Sequence, residues 1–503
     1  MKTVSVLLTA ALTVVLASAQ TPQAPVFIPD DDAPNAVRFL PAPPSEGTAL
    51  FLSDKAGYFR GKTLRDGARG EQARLNANPR FDYTLSLFAG PFGIAVSDSL
   101  TPETYRLISG VFQAARKYAT RDAKPHYRRP RPFVFFGEAS LTPQYDAEMA
   151  DNWSYPSGHT ARAYCMAFTL ASLNPANQDT LFQFAYEYGQ SRIICGHHWP
   201  SDVEAGRMVA AALFARLQTD SAYLSCWAKA KEEIRKLDSE GRIAHPQPTA
   251  ESLYVPNYGY GDHHMIHANL TGAKRSTRKA PYVPAADFAN SLEILPAPPQ
   301  EHSVEFLYDQ YQYFDGKQQR LTPRADVAIA DAEFSAKGFA ANFAGAFGIL
   351  ISEEETPQLW KLLRAVMKSE SGTASQAKNY YKRTRPYAYY NQGSLVPKDE
   401  EELRTNGSFP SGHTTMGTVW GLILAEINIA NEDTILKRTY DYGQSRVIAG
   451  YHWQSDVNAG RYLGATFVAR LHADKEFIKQ LRKAKKEFLR LDKAGKIRHY
   501  ETR

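Results

Sequence analysis

The sequence of 503 residues contains only three cysteines, and all three lie in its first half. They are Cys165, Cys195 and Cys226, and the positions that match them in the repeat described below hold valine, alanine and glutamine. Chemistry that both halves share therefore cannot need a thiol. The odd number leaves two arrangements open, one disulfide with a free thiol or three buried thiols.

Long runs of charge and long runs of apolar residues are also missing. The 59 lysines and arginines exceed the 53 acidic residues by six but form no extended basic segment, so a nucleic-acid polymer is not an expected partner. A small anionic substrate fits this composition better. After the N-terminus, the most apolar stretch, residues 414–430, is interrupted by Glu426 and Asn428, and we predict no membrane span.

The N-terminus has the pattern of a secretory signal peptide. Lys2 is followed by an apolar stretch at residues 4–16 and by the small residues Ala17-Ser18-Ala19. The apolar stretch is too short to span a bilayer comfortably. We predict a signal peptide over residues 1–19 and a mature protein that is secreted or periplasmic.

One set of polar residues is written twice with the same internal spacing. Each copy contains a lysine, an arginine before a proline, a Pro-Ser-Gly-His segment, and a Ser-Arg pair followed by histidine and aspartate. The first copy contains Lys124, Arg131, Ser157, Gly158, His159, Arg192, His198 and Asp202, and the second, 254 positions later, contains Lys378, Arg385, Ser411, Gly412, His413, Arg446, His452 and Asp456.

The repeat extends beyond these residues and predicts the domain organisation. Residues 40–44 match residues 295–299, and each unit is far longer than the repeats of a solenoid. We predict a first domain at residues 36–245, a linker at 246–290 and a second domain at 291–503. The linker contains His263, His264 and His267, but no acidic or cysteine partner stands near them in a pattern that suits a metal, so we favour a plain linker.

The fold class follows from the apolar stretches after the motifs. They cover residues 161–173 and 203–217, and again 416–429 and 457–471. Their length and alanine content indicate buried helices, and alternating strand patterns are scarce. We predict two tandem all-α domains.

The repeated residues suit the binding of a phosphate group. Displacement at phosphorus requires that its oxygens be held by fixed positive charge and N–H donors. Lys124, Arg131 and Arg192 supply three cations, while Ser157 and Gly158 supply a hydroxyl and backbone amides at a helix start. Arg192 could instead be only a salt-bridged residue. This set of donors holds an anion without a metal.

Two histidines are left for bond making and breaking. His198 can attack phosphorus as a neutral imidazole if Asp202 holds its other nitrogen, and His159 can protonate the leaving group and then activate water. Asp202 could alternatively be a plain helix cap. The repeat supports a catalytic role for both histidines, because only three pairs among the thirteen histidines recur in register. The third pair, His245 and His499, lies near the end of a charged helix, where a structural role is expected.

These motifs resemble the superfamily of type 2 phosphatidic acid phosphatases and vanadium haloperoxidases. Within it, residues 188–196, 442–448 and 407–414 are similar to segments of bacterial class A non-specific acid phosphatases. The resemblance implies helical domains of that type and an exported phosphatase of small organic phosphate monoesters. It also implies a phosphohistidine intermediate and no metal or other cofactor.

The resemblance assigns roles to the residues of both copies. It implies that His198 and His452 are nucleophiles, His159 and His413 acid/base groups, and Asp202 and Asp456 orienting groups. The remaining residues would bind phosphate, namely Lys124, Arg131, Ser157, Gly158 and Arg192 with Lys378, Arg385, Ser411, Gly412 and Arg446.

Two departures from the family pattern stand out. Trp153 occupies the position of Gly407, so a bulky ring could narrow the first site. The tandem arrangement is the other, and it suggests that the two domains pack as an internal pseudo-dimer. Two further functions remain alternatives: a vanadate-dependent haloperoxidase, and a phosphate-binding protein with one inactive site.

Overall fold

The computed structural model describes residues 24–29, 32–246, 282–284, 287–369 and 372–500. The predicted signal peptide and most of the predicted linker, with its three histidines, lie outside the described residues. Within the described ranges the secondary structure is helical and contains no strand, which confirms the all-α prediction.

Thirteen α-helices are described in the first half of the chain. They are α1 Ala36–Phe39, α2 Ala49–Thr63, α3 Ala68–Leu75, α4 Phe81–Ser86, α5 Ala89–Phe92, α6 Pro102–Tyr118, α7 Ala123–Tyr127, α8 Pro132–Phe136, α9 Asp146–Ala150, α10 Gly158–Leu173, α11 Gln178–Cys195, α12 Pro200–Leu217 and α13 Ser221–Ser239, with 3₁₀ turns at Pro143–Tyr145 and Pro175–Asn177.

The described part of the second half repeats this order. It contains α14 Ser291–Ile294, α15 Val304–Gln319, α16 Arg324–Ala330, α17 Ala336–Phe347, α18 Pro357–Ser369, α19 Ser375–Tyr381, α20 Pro386–Tyr389, α21 Glu400–Arg404, α22 Gly412–Ile427, α23 Glu432–Ile448, α24 Gln454–Leu471 and α25 Lys475–Lys493, with 3₁₀ turns at Pro397–Asp399 and Ile429–Asn431.

Local sequence signals explain where the central helices begin and end. Ser157 is the N-cap of α10, and its hydroxyl accepts a hydrogen bond from the backbone of Thr160. Helix α11 ends at Gly196, whose φ of 82° favours glycine, and a Cβ there would lie 2.6 Å from the Arg65 guanidinium. Pro200 opens α12 at a position where its missing N–H costs nothing. The turn between α11 and α12 is therefore fixed at both ends.

A close helix contact positions the Pro-Ser-Gly-His loop. Helix α10 packs against α11 and α12, and α22 packs against α23 and α24 in the same way. A Cβ added to Gly206 on α12 would lie 2.7 Å from the Ser157 carbonyl oxygen, and Gly460 stands in the same relation to Ser411. Glycine is thus required for the loop to lie directly on the following helix.

The two halves contact one another through elements that correspond in the repeat. Helix α10 packs on α24 while α12 packs on α22, and α2 packs on α15. Helix α1 packs on α23 of the second half, and α14 packs on α11 of the first. The backbone N–H of Asn35 donates to Asp433 (2.9 Å), and that of Asn290 donates to Asp179 (3.1 Å). A contact from an element of the first half to one of the second is therefore matched by a contact between the corresponding elements with the halves exchanged.

Cys165, Cys195 and Cys226 are buried free thiols, which selects one of the two arrangements that the sequence left open. Burial raises the pKa of the Cys165 thiol, so it is inert as a nucleophile. Among the described helices, none combines the length and the apolar character needed to cross a bilayer.

Candidate active site

The first candidate site centres on His198, in the turn between α11 and α12. Its Nδ1 lies 3.4 Å from Asp202 Oδ2, and its Nε2 lies 3.0 Å from Nη1 of Arg131. A guanidinium can only donate, so Nε2 accepts this bond and the ring proton belongs on Nδ1, facing the carboxylate. This tautomer places the lone pair on Nε2, where Arg131 engages it, so Nε2 can attack phosphorus once the guanidinium turns to a bound anion.

The second site repeats this geometry around His452. The distances are 3.5 Å from Nδ1 to Asp456 and 3.1 Å from Nε2 to Arg385. Burial, together with the adjacent arginine, lowers the pKa of both His198 and His452 well below the usual value. Both rings are therefore neutral at neutral pH.

The aspartates have more than one task. The N–H of Trp199 donates to Asp202 (2.8 Å), so this carboxylate caps α12 and contacts His198 as well. The backbone carbonyl of Asp202 accepts the N–H of Ser157 (2.9 Å), which ties the two motif segments together. In the second site Ser408 also donates to Asp456 (2.5 Å). Burial opposes ionisation there, but Arg383, His452 and Ser408 hold the pKa of Asp456 well below its usual range.

A buried arginine behind each aspartate was missed by sequence reasoning. Arg129 donates to Asp202 (2.6 Å) and to Asp54 (2.5 Å), and Arg383 bridges Asp456 and Asp309 in the same way. Because the aspartate is held by its own cation, its orientation does not depend on the state of the histidine. Both the arginine and the distant aspartate recur in the repeat, so the register alone could have revealed them.

Arg131 is anchored by backbone carbonyls and not by a carboxylate. Its Nε donates to Met149 O (2.9 Å) and Asn152 O (2.6 Å), and its Nη1 donates to His197 O (2.8 Å). These neutral acceptors fix the side chain without cancelling its charge. The positive charge remains available to an anion beside His198.

Arg192 is the side chain of the first site best prepared to bind an anion. Its side chain is fully buried, and Nη2 lies 2.6 Å from Nδ1 of His197. Its Nε and Nη1 have no hydrogen-bond partner among the described residues. Buried donors on a charged group are normally satisfied. In the second site Arg446 Nη1 donates to Asp331 O (3.3 Å), and the fully buried Nε has no partner within the described ranges.

The lysine and the helix start complete each cradle. Lys124 Nζ donates to Asn152 Oδ1 (2.5 Å), and Lys378 Nζ donates to Gly407 O (2.6 Å). Burial and the neighbouring arginines lower the pKa of Lys124. Ser157 accepts the Thr160 hydroxyl (2.8 Å), which leaves its own O–H free to donate at the N-terminus of α10, where Gly158 adds no side chain. Ser411 and Gly412 take the same positions on α22.

The second histidine is placed differently in the two sites. His159 Nε2 is buried without a hydrogen-bond partner among the described residues. Burial lowers the pKa of His159, and Arg192, Arg162 and the nearby His198 ring add to the effect. His413 instead donates from Nε2 to the carbonyl of Ala332 (3.0 Å).

A fourth cation distinguishes the first site and was not predicted. Arg162 lies one turn after Gly158 on α10, and its Nη1 is 4.0 Å from the place of a Gly158 Cβ. Its guanidinium lies over the Phe112 ring (5.2 Å). The second half has Met416 at this position. A search restricted to residues shared by both halves could not find it.

Both sites thus combine buried cations, N–H donors and neutral imidazoles, which suit an anion and repel a metal cation. A family model described as the PAP2 superfamily matches residues 107–224 and again residues 358–478. A non-specific acid phosphatase of Providencia stuartii is 46% identical over 213 residues, which are 42% of this chain and 86% of that protein. The chain belongs to the PAP2 superfamily.

All sixteen predicted site residues fall within the two matched regions. A non-specific acid phosphatase of Salmonella typhimurium is 41% identical over 209 residues, covering 41% of this chain and 83% of that protein. An acid phosphatase of Zymomonas mobilis is 33% identical over 211 residues, covering 42% of this chain and 79% of that protein. Each relative thus corresponds to less than half of this chain, as expected for two tandem PAP2 units.

Proposed function

We propose that this protein is an acid phosphatase that hydrolyses phosphate monoesters through a phosphohistidine, with a complete site in each half. The observation that carries the proposal is the buried Arg192, whose free donors lie in the same cluster as a neutral histidine. A phosphoryl group satisfies those donors. The named activities of the relatives support the same reaction class.

In the first step the phosphoryl oxygens are held by Lys124, Arg131, Arg192 and the start of α10. The Nε2 lone pair of His198 attacks phosphorus and forms a P–N bond while the P–O bond to the leaving group breaks. The leaving alkoxide takes a proton from His159. Asp202 stabilises the imidazolium character that develops on His198.

This role requires that His159 be protonated when substrate is bound. In the free site its pKa is low because the ring is buried among cations. A bound phosphate adds negative charge next to the ring and raises that pKa. Substrate and proton therefore bind together, which is consistent with activity at acid pH.

In the second step a water molecule attacks the phosphorus of the phosphohistidine. His159, now neutral, takes a proton from the water, and the P–N bond breaks as electrons return to Nε2. Inorganic phosphate leaves, and His198 returns to the neutral tautomer that Asp202 favours. His452, His413 and Asp456 carry the same steps in the second half.

The test compares His198→Ala, His452→Ala and the double variant in hydrolysis of 4-nitrophenyl phosphate. Each single variant retains the activity of one site, and the double variant loses at least about 10³-fold in kcat, because the covalent step is removed. Rapid acid quench should trap one phosphohistidine per intact site. His126→Tyr is the matched control, since this exposed histidine has no role in the proposed mechanism and the second half has Tyr380 there. Wild-type turnover by the double variant would refute the mechanism.

The proposal includes an architecture and a location. The reciprocal contacts between corresponding helices support two domains, residues 36–245 and 291–503 joined by a linker, that pack as an internal pseudo-dimer. Export to the periplasm or medium rests on the signal-peptide pattern of residues 1–19. Mass spectrometry of the mature N-terminus would test it, and an uncleaved Met1 would count against export.

A further inference from the structure

A cationic pocket of about 410 Å³ adjoins the second site and shares Lys378 and Arg385 with its cradle. Its lining also includes Lys382 and Arg404, which are not part of the cradle. No acidic side chain of the described ranges lines this pocket. Its positive charge therefore continues beyond the part that the reacting phosphoryl group needs.

The outer cations have few protein partners. The Lys382 side chain makes no hydrogen bond or ion pair with any described residue, and this residue holds a left-handed backbone conformation (φ 44°, ψ 35°) at the end of α19. Arg404 lies over the Tyr387 ring (5.2 Å). Its nearest carboxylate is Glu400 at 4.0 Å, and that carboxylate already accepts the N–H of Ser394 (2.6 Å).

The first half has a different set of residues at these positions. Arg404 is replaced by Ala150, Thr405 by Asp151 and Gly407 by Trp153. Trp153 is exposed, at 38% of its full accessible surface. The counterpart of Lys382 is Arg128, whose Nε donates to the carbonyl of Pro125 (3.1 Å).

The residues at these outer positions therefore differ in net charge between the two sites. The outer positions hold two cations in the second half and one residue of each sign in the first. The three cations that the repeat shares are present in both cradles, and the additional Arg162 lies beside the cradle of the first half. The larger positive charge at the outer positions of the second half therefore acts on the leaving group and not on the reacting phosphoryl group.

We propose that Lys382 and Arg404 form an anion subsite that takes a second phosphate, carried by the leaving group of the substrate, at the second site only. The inference rests on the proposed function and assigns its substrates: bisphosphates at the second site, and single phosphates with neutral or aromatic leaving groups at the first.

The catalytic test uses the two single-histidine variants, each with one working site. In His198→Ala, addition of Arg404→Ala or Lys382→Ala lowers kcat/KM for glucose 1,6-bisphosphate about 5–10-fold more than for glucose 6-phosphate, as expected for one lost charge-assisted contact. Lys493→Ala, on the exposed face of α25, serves as the charge-loss control and leaves both values unchanged. Equal losses on both sugars would overturn the subsite.

The converse change is made in His452→Ala. Replacement of Ala150 by Arg together with Asp151 by Thr raises the preference of the first site for the bisphosphate, because it recreates the outer charge of the second. An unchanged ratio between the two sugars counts against the proposal.

A binding measurement separates this proposal from the catalytic one. The double variant His198→Ala/His452→Ala cannot form a phosphohistidine, so calorimetry reports binding of the two sugars alone. Arg404→Ala in this background weakens binding of the bisphosphate and spares the monophosphate. If His198→Ala hydrolyses neither sugar, catalysis at the second site is refuted, and the binding result still decides the subsite.

Discussion

Replacement of Arg192 by methionine should make the ligand-free protein more stable while it weakens phosphate binding. Arg192 is fully buried, and two of its donor nitrogens lack partners among the described residues. The charge of Arg192 also repels that of Arg131. Burial, and after it the charge of Arg192, lowers the pKa of Arg131 to about 9. Methionine has a similar length, no charge and no donor to satisfy.

The expected size follows from opposing contributions. Each unsatisfied buried donor costs ~1–3 kcal/mol, and the bond to His197 that would be lost contributes ~1.5–3 kcal/mol. The central values of these ranges predict a gain of about 2 kcal/mol in the free energy of unfolding. Phosphate at a hundredfold excess over Kd stabilises a protein that binds it at one site by about 2.7 kcal/mol. In Arg192→Met the first site should lose much of this stabilisation.

Thermal unfolding in phosphate-free buffer and in added phosphate measures both effects. Arg446→Met is the matched control: Arg446 donates to Asp331 and lies over the Tyr451 ring (4.8 Å), so its removal brings a smaller gain or a loss. Two results together would refute the reasoning. In phosphate-free buffer Arg192→Met would melt at a lower temperature than the wild type, and added phosphate would raise its melting temperature as much as it raises that of the wild type.

Three other outcomes are expected. Gly206→Ala places a methyl group against the Ser157 carbonyl and should lower kcat/KM of the first site at least about tenfold. The measurement is made in His452→Ala, where only the first site works. Wild-type rates would show that the contact between α10 and α12 does not position the loop. Arg162→Met should raise the inhibition constant of phosphate at the first site ~3–10-fold, and Met416→Arg should lower that constant at the second site. Unchanged inhibition constants would place Arg162 outside the cradle. Buried neutral histidines such as His159 take up protons on unfolding, so stability should fall as pH drops below about 6.5, by at most ~1.4 kcal/mol per pH unit for each histidine. His159→Gln should make this fall shallower, and an identical pH profile in urea unfolding would contradict the assignment.

The sequence was sufficient for the helical fold and for the residues that the two copies share. His198 and Asp202 stand four positions apart at a helix start, so local geometry brings them together. Arg129 and Asp54 are far apart in sequence and meet through tertiary packing, in which α2 lies against the first turn of α12. No local pattern announces such a contact, although the repeat contains it in both copies.

Other features could not be derived from the repeat because they are not repeated. Arg162 and Arg404 each occur in one half, and a comparison that retains only shared residues discards them. The packing of α1 on α23 is repeated by that of α14 on α11, yet it was also beyond sequence reasoning, since a short segment beside one unit gives no sign of which unit it contacts. Only tertiary packing determines which elements these segments contact.

The interface between the halves has a consequence for how such a protein can evolve. Tyr462 donates to the carbonyl of Phe182 (2.7 Å), while the matching position of the first half holds Met208, which has no hydroxyl. In an association of two identical chains, every mutation appears on both faces at once. Fusion into one polypeptide removes that constraint, so one face can gain a contact that its twin never acquires. Each PAP2 unit is then free to diverge from the other.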